Sequence, residues 1–257
     1  MLPGVADRVT FLDGRPPRVI AHRGLAVDAP ENTLLAFLRA LSAGATHLET
    51  DIHASADGVA VIAHDPDLSR VAGRDLRIAQ LTMRELRRID LGHGQAFCSL
   101  AEALDAFPQA RFNIDVKDAR AAGPAVDALR AARATDRVLI TSFSPDRRRA
   151  VTDSLPGVAS SPAVSEVLPA LAGAKTGLAS LVRRSLRGFA AVQIPERRGP
   201  VQLVTRRTVN SIHAAGAEVH VWTVNEPGDM IRLLDLGVDG IVTDRCDVLR
   251  RVVDARR

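Results

Sequence analysis

Short apolar strands alternate with amphipathic helices along almost the whole chain. The first strand covers residues 18–21, and the helix after it carries Leu34, Phe37 and Leu41 at helical spacing before Gly44 ends it. The same order repeats up to the last strand, at residues 240–242. This alternation predicts a parallel sheet with the helices packed outside it.

The strand candidates number one more than the eight that close a (β/α)8, or TIM, barrel. The extra one, at residues 59–63, follows its predecessor after only a tight turn at Asp57-Gly58, and a tight turn cannot join parallel strands. We therefore predict an α/β TIM barrel in one domain, residues 1–257, with a small insertion after the second barrel strand, at about residues 53–110.

The composition argues against several classes of function. The formal charge is +4 and the pI is near 9.9, but basic runs such as Arg147-Arg148-Arg149 lack the interleaved aromatic residues that stack on bases. We predict solvated helix faces there and no nucleic-acid partner.

Cys98 and Cys246 form no disulfide framework, and neither a secretory signal nor a membrane-length apolar stretch is evident. A cytoplasmic protein without integral membrane association is expected.

Polar or unusual side chains stand at the carboxyl end of nearly every predicted strand. In a TIM barrel the active site lies at that end, so these groups are expected to converge on one mouth. They are His22-Arg23, Glu49 and Asp51, Asp115 and Lys117, Ser142-Phe143, Gln193-Ile194-Pro195, Trp222 to Asn225, and Asp244.

Glu49 and Asp51 occupy alternate positions of one strand and therefore point to the same face. Two adjacent carboxylates repel each other, and such a pair is tolerated either beside a bound cation or beside arginines. The pattern alone does not separate these two possibilities. Asp115 and Lys117 share a face of a later strand by the same alternation.

Two histidines accompany the carboxylates, His22 at the end of the first strand and His64 after the extra strand. Imidazole titrates near neutral pH and therefore serves as a general acid or base. Arg23 follows His22, and a guanidinium can bind two oxygens of one phosphate. Two histidines, an arginine and paired carboxylates are the groups needed to cleave a phosphate ester with a metal ion.

A set of short motifs occurs in a fixed order between residue 19 and Asp244. They are Val19-Ile20-Ala21-His22-Arg23-Gly24, Pro30-Glu31-Asn32-Thr33, Glu49-x-Asp51, His64-Asp65, Asn113-Ile114-Asp115-Val116-Lys117, Ser142-Phe143 and Trp222-Thr223-Val224-Asn225. Any one motif is weak evidence for a family. The ordered set, however, resembles the glycerophosphodiester phosphodiesterase family, which belongs to the PLC-like phosphodiesterases. The resemblance covers nearly the whole chain.

The resemblance implies a TIM barrel that hydrolyses glycerophosphodiesters, as small-molecule substrates, to sn-glycerol 3-phosphate and an alcohol with a divalent cation, Mg²⁺ or Ca²⁺. With the chemistry above, it assigns catalytic roles to His22 and His64, phosphate binding to Arg23 and Lys117, metal binding to Glu49, Asp51 and Asp115, the substrate pocket to Trp222 and Phe143, and supporting contacts to Glu31 and Asn32. Other interpretations are a salt bridge from Lys117 to Asp115 or Glu49, core packing for Phe143 and a helix cap for Asn32.

Many members of the family have a glutamate where this chain has Asp115, which leaves the choice of metal open. The leaving alcohol, the order in which the histidines act, attack through a cyclic phosphate or by water, and the oligomeric state also stay open. One alternative function is a lysophospholipase D-like or sphingomyelinase-like activity on lipids, for which no clear apolar loop is evident. Another is a barrel that has lost catalysis and binds a phosphorylated metabolite.

Overall fold

The computed structural model describes residues 10–256, which form helices around a central sheet. Its strands in chain order are β1 Arg18–Ala21, β2 His47–Ala54, β3 Ala60–Ile62, β4 Asp67–Leu68, β5 Arg74–Arg77, β6 Arg111–Val116, β7 Val138–Thr141, β8 Ala159–Ser160, β9 Ala191–Pro195, β10 Arg197–Arg198, β11 Val201–Gln202, β12 Glu218–Trp222 and β13 Gly240–Thr243.

Eight parallel strands form a nearly closed barrel in the order β8-β7-β6-β2-β1-β13-β12-β9. The path ends at β8 and β9, where the backbone N–H of Ala190 donates to the carbonyl oxygen of Ser160 at 2.9 Å. Barrel strands that follow one another along the chain are neighbours in this order. The predicted TIM barrel is confirmed.

Helices surround the barrel and begin where the sequence offers capping side chains. Thr33, and not Asn32, caps the first one, since its Oγ1 accepts from the N–H of Ala36 at 3.2 Å. The helices are α1 Leu34–Ser42, α2 Ser69–Ala72, α3 Met83–Leu86, α4 Leu100–Ala106, α5 Ala122–Ala131, α6 Pro145–Thr152, α7 Val164–Thr176, α8 Ala179–Ser185, α9 Arg206–His213, α10 Pro227–Asp235 and α11 Cys246–Asp254.

The extra strand β3 runs antiparallel to β2, with Ile62 opposite Ile52, and lies off the barrel path. Between it and α4 the chain packs a separate apolar cluster that includes Leu68, Leu86 and Phe97. This confirms that the segment at residues 59–63 is an excursion from the barrel. The organisation as one domain, residues 1–257, with an insertion at about residues 53–110, stays a prediction.

The barrel interior and the helix faces against it form the main core, which is largely aliphatic. This follows from a composition with one tryptophan and no tyrosine. Both cysteines, Cys98 and Cys246, are buried as free thiols. Within residues 10–256, no helix combines the length and the apolar character needed to cross a membrane. The cytoplasmic location stays a prediction.

Candidate active site

The carboxyl ends of the barrel strands surround a cavity of about 570 Å³. Because parallel strands bring their ends to one rim, side chains far apart in sequence meet there. The predicted catalytic, phosphate-binding, metal-binding and pocket residues all line this cavity: His22, Arg23, Glu49, Asp51, His64, Asp115, Lys117, Phe143 and Trp222.

Three buried carboxylates lie at one side of the cavity. Glu49 and Asp51 come from β2, and Asp115 stands directly opposite Asp51 on β6 in the strand register. Burial and the charge of Asp51 raise the pKa of Glu49, and burial raises the pKa of Asp115 although Lys117 opposes the shift. The carboxylates are therefore crowded enough to favour a neutralising positive charge beside them.

Lys117 supplies one such charge. Its Nζ lies 3.0 Å from Oδ1 of Asp51 and 2.7 Å from Oδ2 of Asp115. Burial alone would lower the pKa of Lys117, but the charges of Asp51 and Asp115 outweigh it and raise the pKa. The salt bridge considered for this lysine is present with Asp115, and its second partner is Asp51 instead of Glu49. The centroid of the Phe143 ring lies 5.5 Å from the ammonium.

The donors suited to a metal ion are oxygen atoms. Oδ1 of Asp115 and Oδ1 of Asn113 are buried, and no side chain or backbone group in the described part of the chain hydrogen-bonds to them. Residues 10–256 contain no group of three or more His, Cys, Asp or Glu side chains already arranged to hold a metal ion. Carboxylate and amide oxygens are the ligands that a hard cation such as Mg²⁺ or Ca²⁺ prefers. In this structure the ammonium of Lys117 lies between the carboxylates of Asp51 and Asp115.

Arg23 is held by acidic residues on two sides. Its backbone N–H donates to Oε2 of Glu49 at 3.0 Å, its Nη1 donates to Oε1 of Glu31 at 3.1 Å, and its Nε lies 3.4 Å from Oδ2 of Asp51. Its φ of 56° lies in the left-handed region, which is uncommon for an arginine and is often found at functional sites. The backbone thus turns so that the guanidinium lines the cavity.

His22 belongs to a hydrogen-bonded chain at the end of β13. Its Nδ1 lies 2.7 Å from Oδ1 of Asp244, whose Oδ2 accepts from Nδ2 of Asn225 at 2.7 Å. Burial lowers the pKa of His22, but the Asp244 hydrogen bond and the charge of Glu49 outweigh it, so that the pKa is raised. With Nδ1 bound to a carboxylate, Nε2 is the ring nitrogen left to exchange a proton.

His64, which follows β3 in the excursion, has a similar arrangement. Its Nδ1 lies 2.7 Å from Oδ1 of Asp65, and Oδ2 of Asp65 accepts from Nε of Arg70 at 2.6 Å. Arg70 also donates from Nη2 to Oε1 of Glu31 at 2.6 Å. Glu31 therefore links Arg70 of the excursion to Arg23 of the barrel.

Asn32 does not line the cavity but contacts a residue that does. Its Nδ2 donates to Oδ2 of Asp51 at 3.2 Å, and its Oδ1 accepts from Oγ1 of Thr50 at 2.8 Å. It therefore orients a carboxylate and does not cap α1. Glu31 plays a comparable supporting part through Arg23.

Phe143 and Trp222 form an aromatic wall of the cavity. Their ring centroids are 6.0 Å apart, with an angle of 72° between the ring planes. Phe143 is 55% exposed, so it is not a core residue.

Four residues that contact the site received no individual role from the sequence, although Asn225 and Asp244 were among the strand-end residues expected at the mouth. Asp65 and Asp244 each bind the Nδ1 of a histidine, Asn225 holds Asp244, and Arg70 holds Asp65. A carboxylate directly after His64, and one at the end of the last strand, were the available signals for the first two. Arg70 carries no signal in the sequence, because its role depends on how the excursion folds back.

The sequence profile of the Glycerophosphoryl diester phosphodiesterase family matches residues 22–248. The chain is 42% identical over 258 aligned positions to the probable glycerophosphodiester phosphodiesterase 2 of Mycobacterium tuberculosis, with 100% of this chain and 98% of that protein covered.

Among solved structures, a putative glycerophosphoryl diester phosphodiesterase from Silicibacter pomeroyi superposes with a TM-score of 0.79 at 25% identity, covering 94% of each chain. A phosphodiesterase from Oleispira antarctica, in complex with the product sn-glycerol-3-phosphate, superposes with a TM-score of 0.76 at 25% identity, covering 93% of this chain and 97% of that one. Profile, full-length relative and fold agree, and the chain belongs to the glycerophosphoryl diester phosphodiesterase family.

Proposed function

We propose that this phosphodiesterase hydrolyses glycerophosphodiesters to sn-glycerol 3-phosphate and an alcohol, by acid–base catalysis from His22 and His64 with a carboxylate-bound divalent cation. The observation that carries the proposal is that both histidines line one cavity, each with its Nδ1 2.7 Å from an aspartate oxygen. The product complex of the Oleispira antarctica phosphodiesterase supports the choice of substrate class.

The two histidines divide the proton transfers of the reaction between them. One removes the proton from the attacking hydroxyl or water, and the other protonates the departing alkoxide. Asp244 and Asp65 each accept a hydrogen bond from Nδ1 of one histidine, which orients the ring and leaves its Nε2 for proton exchange. The geometry is compatible with either histidine acting first, and with a cyclic phosphate or direct attack by water.

Glu49, Asp51 and Asp115 are the residues that would hold the cation. Their donor atoms are all oxygens, and Oδ1 of Asp115 is buried without a partner among the described groups. Burial and then the charge of Asp51 raise the pKa of Glu49. These properties fit Mg²⁺ or Ca²⁺. When bound, the cation supplies positive charge for a phosphate oxygen and lowers the pKa of a nearby hydroxyl or water.

Arg23 and Lys117 provide the protein's own positive charge for the phosphodiester. Glu31 accepts a hydrogen bond from Nη1 of Arg23. Lys117 is paired with Asp51 and Asp115, and a cation on those carboxylates would free its ammonium for the phosphate. Trp222 and Phe143 then pack against the glycerol carbons.

The test is a panel of glycerophosphodiesters with an enzyme-coupled assay for sn-glycerol 3-phosphate, run with Mg²⁺, with Ca²⁺ and with chelator. We expect turnover with a divalent cation, and a loss of kcat of at least ~10²-fold in His22→Ala and in His64→Ala. His93→Asn is the matched control, because His93 is exposed and its φ of 55° suits asparagine. A failure to release sn-glycerol 3-phosphate from any member of the panel would favour a barrel that only binds a phosphorylated metabolite.

A further inference from the structure

A fully buried histidine on barrel strand β12 takes no part in the proposed chemistry. This residue, His220, stands between Gln193 of β9 and Gly240 of β13 in the strand register. A Cβ at Gly240 would lie 2.7 Å from Cδ2 of His220, so that any side chain at this position of β13 would collide with the imidazole ring. The backbone of β13 therefore confines the ring on one side.

The Nε2 atom of His220 is held by an ionised carboxylate. It lies 3.0 Å from Oε2 of Glu218, and Arg18 donates from Nη2 to Oε1 of the same carboxylate at 2.8 Å. Burial raises the pKa of Glu218, but the hydrogen bonds from His220 and Arg18 outweigh it and lower the pKa to about 2. A carboxylate in its ionised form only accepts hydrogen bonds, so Nε2 of His220 carries the proton that it donates.

The other ring nitrogen of His220 faces Gln193. Nδ1 lies 3.4 Å from Nε2 of the Gln193 amide. In a neutral imidazole with its proton on Nε2, Nδ1 is an acceptor, and the amide nitrogen donates to it. The opposite orientation of the amide would place two acceptors, Oε1 and Nδ1, against each other. The direction of every hydrogen bond from Glu218 to Gln193 is therefore determined.

This chain of hydrogen bonds decides which atom Gln193 offers to the cavity. Gln193 lines the cavity, and no group within residues 10–256 donates a hydrogen bond to its Oε1. The cavity wall formed by α7 and the segment before α9 is apolar and includes Val167, Leu171 and Leu203. An isolated polar atom in an apolar lining commonly fixes the orientation of a ligand. Because Oε1 is a carbonyl oxygen, its partner on a ligand must be a donor such as a hydroxyl group.

The position of Gln193 in the barrel indicates which hydroxyl this is. The charged residues proposed to act on the phosphodiester follow β1, β2 and β6, whereas β13 and β12 separate β9 from β1. Trp222, proposed to pack against the glycerol carbons, pairs with Pro195 of β9, and Gln193 lies two residues before Pro195 on the same strand face. It is therefore deeper in the barrel than Trp222 and on the side away from the phosphate-binding groups.

We propose that Gln193, oriented by His220, accepts a hydrogen bond from the terminal hydroxyl of the glycerol moiety, the one farther from the phosphate. The middle hydroxyl is not assigned to Gln193, because it is the nucleophile if the reaction passes through a cyclic phosphate. Gln193 is then a specificity-determining residue, and His220 is a positioning residue. This inference rests on the proposed function, since it assigns the recognition of one group of the same substrate.

The test compares two phosphocholine esters. One is sn-glycero-3-phosphocholine, and the other is the corresponding ester of propane-1,2-diol, which keeps the middle hydroxyl and lacks only the terminal one. Choline release reports both in the same way. We expect kcat/KM of the wild type to be about tenfold higher for the glycerol ester, because the other ester leaves Oε1 of Gln193 without a partner.

Gln193→Met tests the amide, since methionine has a similar length and no hydrogen-bonding amide. We expect the ratio of the two kcat/KM values to fall to about one. A loss of folded protein cancels in this ratio, because both substrates are measured on the same sample. Gln202→Met is the matched control: Gln202 also donates from Nε2, to Glu196 and Val204, but it does not line the cavity, and the ratio should not change.

His220→Leu and His220→Asn test the positioning role. Leucine removes the acceptor that faces Gln193, and the ratio should fall towards one. Asparagine places an oxygen near the position of Nδ1 and should retain most of the wild-type ratio. A purely structural role of His220 would lower kcat/KM for the two esters by the same factor and would leave the ratio unchanged in both variants.

The outcomes separate this inference from the proposed function. Choline release from both esters at equal kcat/KM in the wild type would overturn the inference and leave the proposed function in place. A tenfold preference that persists in Gln193→Met would assign the terminal hydroxyl to another group and would also overturn it. If neither ester released choline with Mg²⁺ or Ca²⁺, the proposed function itself would be wrong, and the inference would fall with it.

Discussion

Nδ1 of His22 lies 2.7 Å from Oδ1 of Asp244, although 222 positions separate the two residues along the chain. The first barrel strand and the last are neighbours in the closed ring, which brings the two side chains to the same rim. The pair has the form of an imidazole oriented by a carboxylate. The contact occupies Nδ1 and leaves Nε2 as the ring nitrogen through which His22, in its proposed role, would exchange a proton.

Asp244→Asn should lower kcat by about 10²-fold, because a neutral amide holds the imidazolium less well. It should also shift a limb of the pH–rate profile. The hydrogen bond and charge of Asp244 raise the pKa of His22, so removing the charge lowers that pKa and moves the limb to lower pH. Asp229→Asn, on the surface and paired with Arg232, is the control. An unchanged pH–rate profile would argue that Asp244 does not act through His22.

Chelation should abolish turnover, and Mg²⁺ or Ca²⁺ should restore it. A second measurement does not depend on activity: at a concentration one hundred times its Kd, the cation should raise the free energy of unfolding by about 2.7 kcal/mol. Asp115→Asn should reduce this gain, because it removes a proposed ligand charge, while Asp136→Asn should not. Turnover that persists in chelator, with no thermal shift on adding metal, would exclude the metal site.

The burial of His47 is expected to make the free energy of unfolding depend on pH. It is fully buried and its Nε2 donates to the carbonyl oxygen of Phe11 at 2.7 Å; burial lowers its pKa from 6.5 to about 3. Below pH 6.5 the unfolded chain binds a proton that the folded protein accepts only near pH 3, so the free energy of unfolding falls as the pH falls through this window.

The fall attributable to His47 approaches ~1.4 kcal/mol per pH unit. Denaturant titrations at several pH values would measure it as a difference in slope between the wild type and His47→Gln, which lacks this proton. Parallel slopes for the two proteins would show that His47 titrates normally in the folded state.

Gly24→Ala should destabilise the fold beside Arg23. Gly24 has a φ of 84°, and a Cβ there would stand 2.7 Å from the backbone carbon of Ala36. Gly58 also has positive φ, 77°, but a Cβ there would have no atom within 4 Å. We expect Gly58→Ala to cost about 1 kcal/mol of unfolding free energy and Gly24→Ala about 1–3 kcal/mol more. If denaturant titrations gave the same loss of unfolding free energy for Gly24→Ala and Gly58→Ala, the close contact with Ala36 would not contribute to the cost.

Much of the fold follows from patterns that repeat locally. Alternation of strands and helices predicted the barrel, and the tight turn before residues 59–63 predicted that this strand leaves the barrel path; β3 is indeed antiparallel to β2. Period-two alternation also placed Glu49 and Asp51 on one face. These inferences succeed because each depends on the geometry of a single element.

Contacts between elements far apart in the chain could not be predicted from the sequence to the same extent. The sequence left open a salt bridge for Lys117, but it did not show that Asp51 and Asp115 flank the ammonium from two different strands. Hydrophobic periodicity does not distinguish a helix face covered by the core from one that borders a cavity, as the face of α7 with Val164 and Leu168 does. Only the course of the chain around β8 and β9 decides that question.

The ion pairs of Arg70 have a consequence for protein engineering. His64 comes from the excursion and His22 from the barrel, and Arg70 ties the excursion back through Asp65 and Glu31. Exchanging this segment for that of a relative would also exchange His64, one of the two histidines proposed to transfer protons, together with Asp65 and Arg70, which orient it. A chimera would therefore need a matching partner for Glu31 before its substrate preference could be compared with that of the parent.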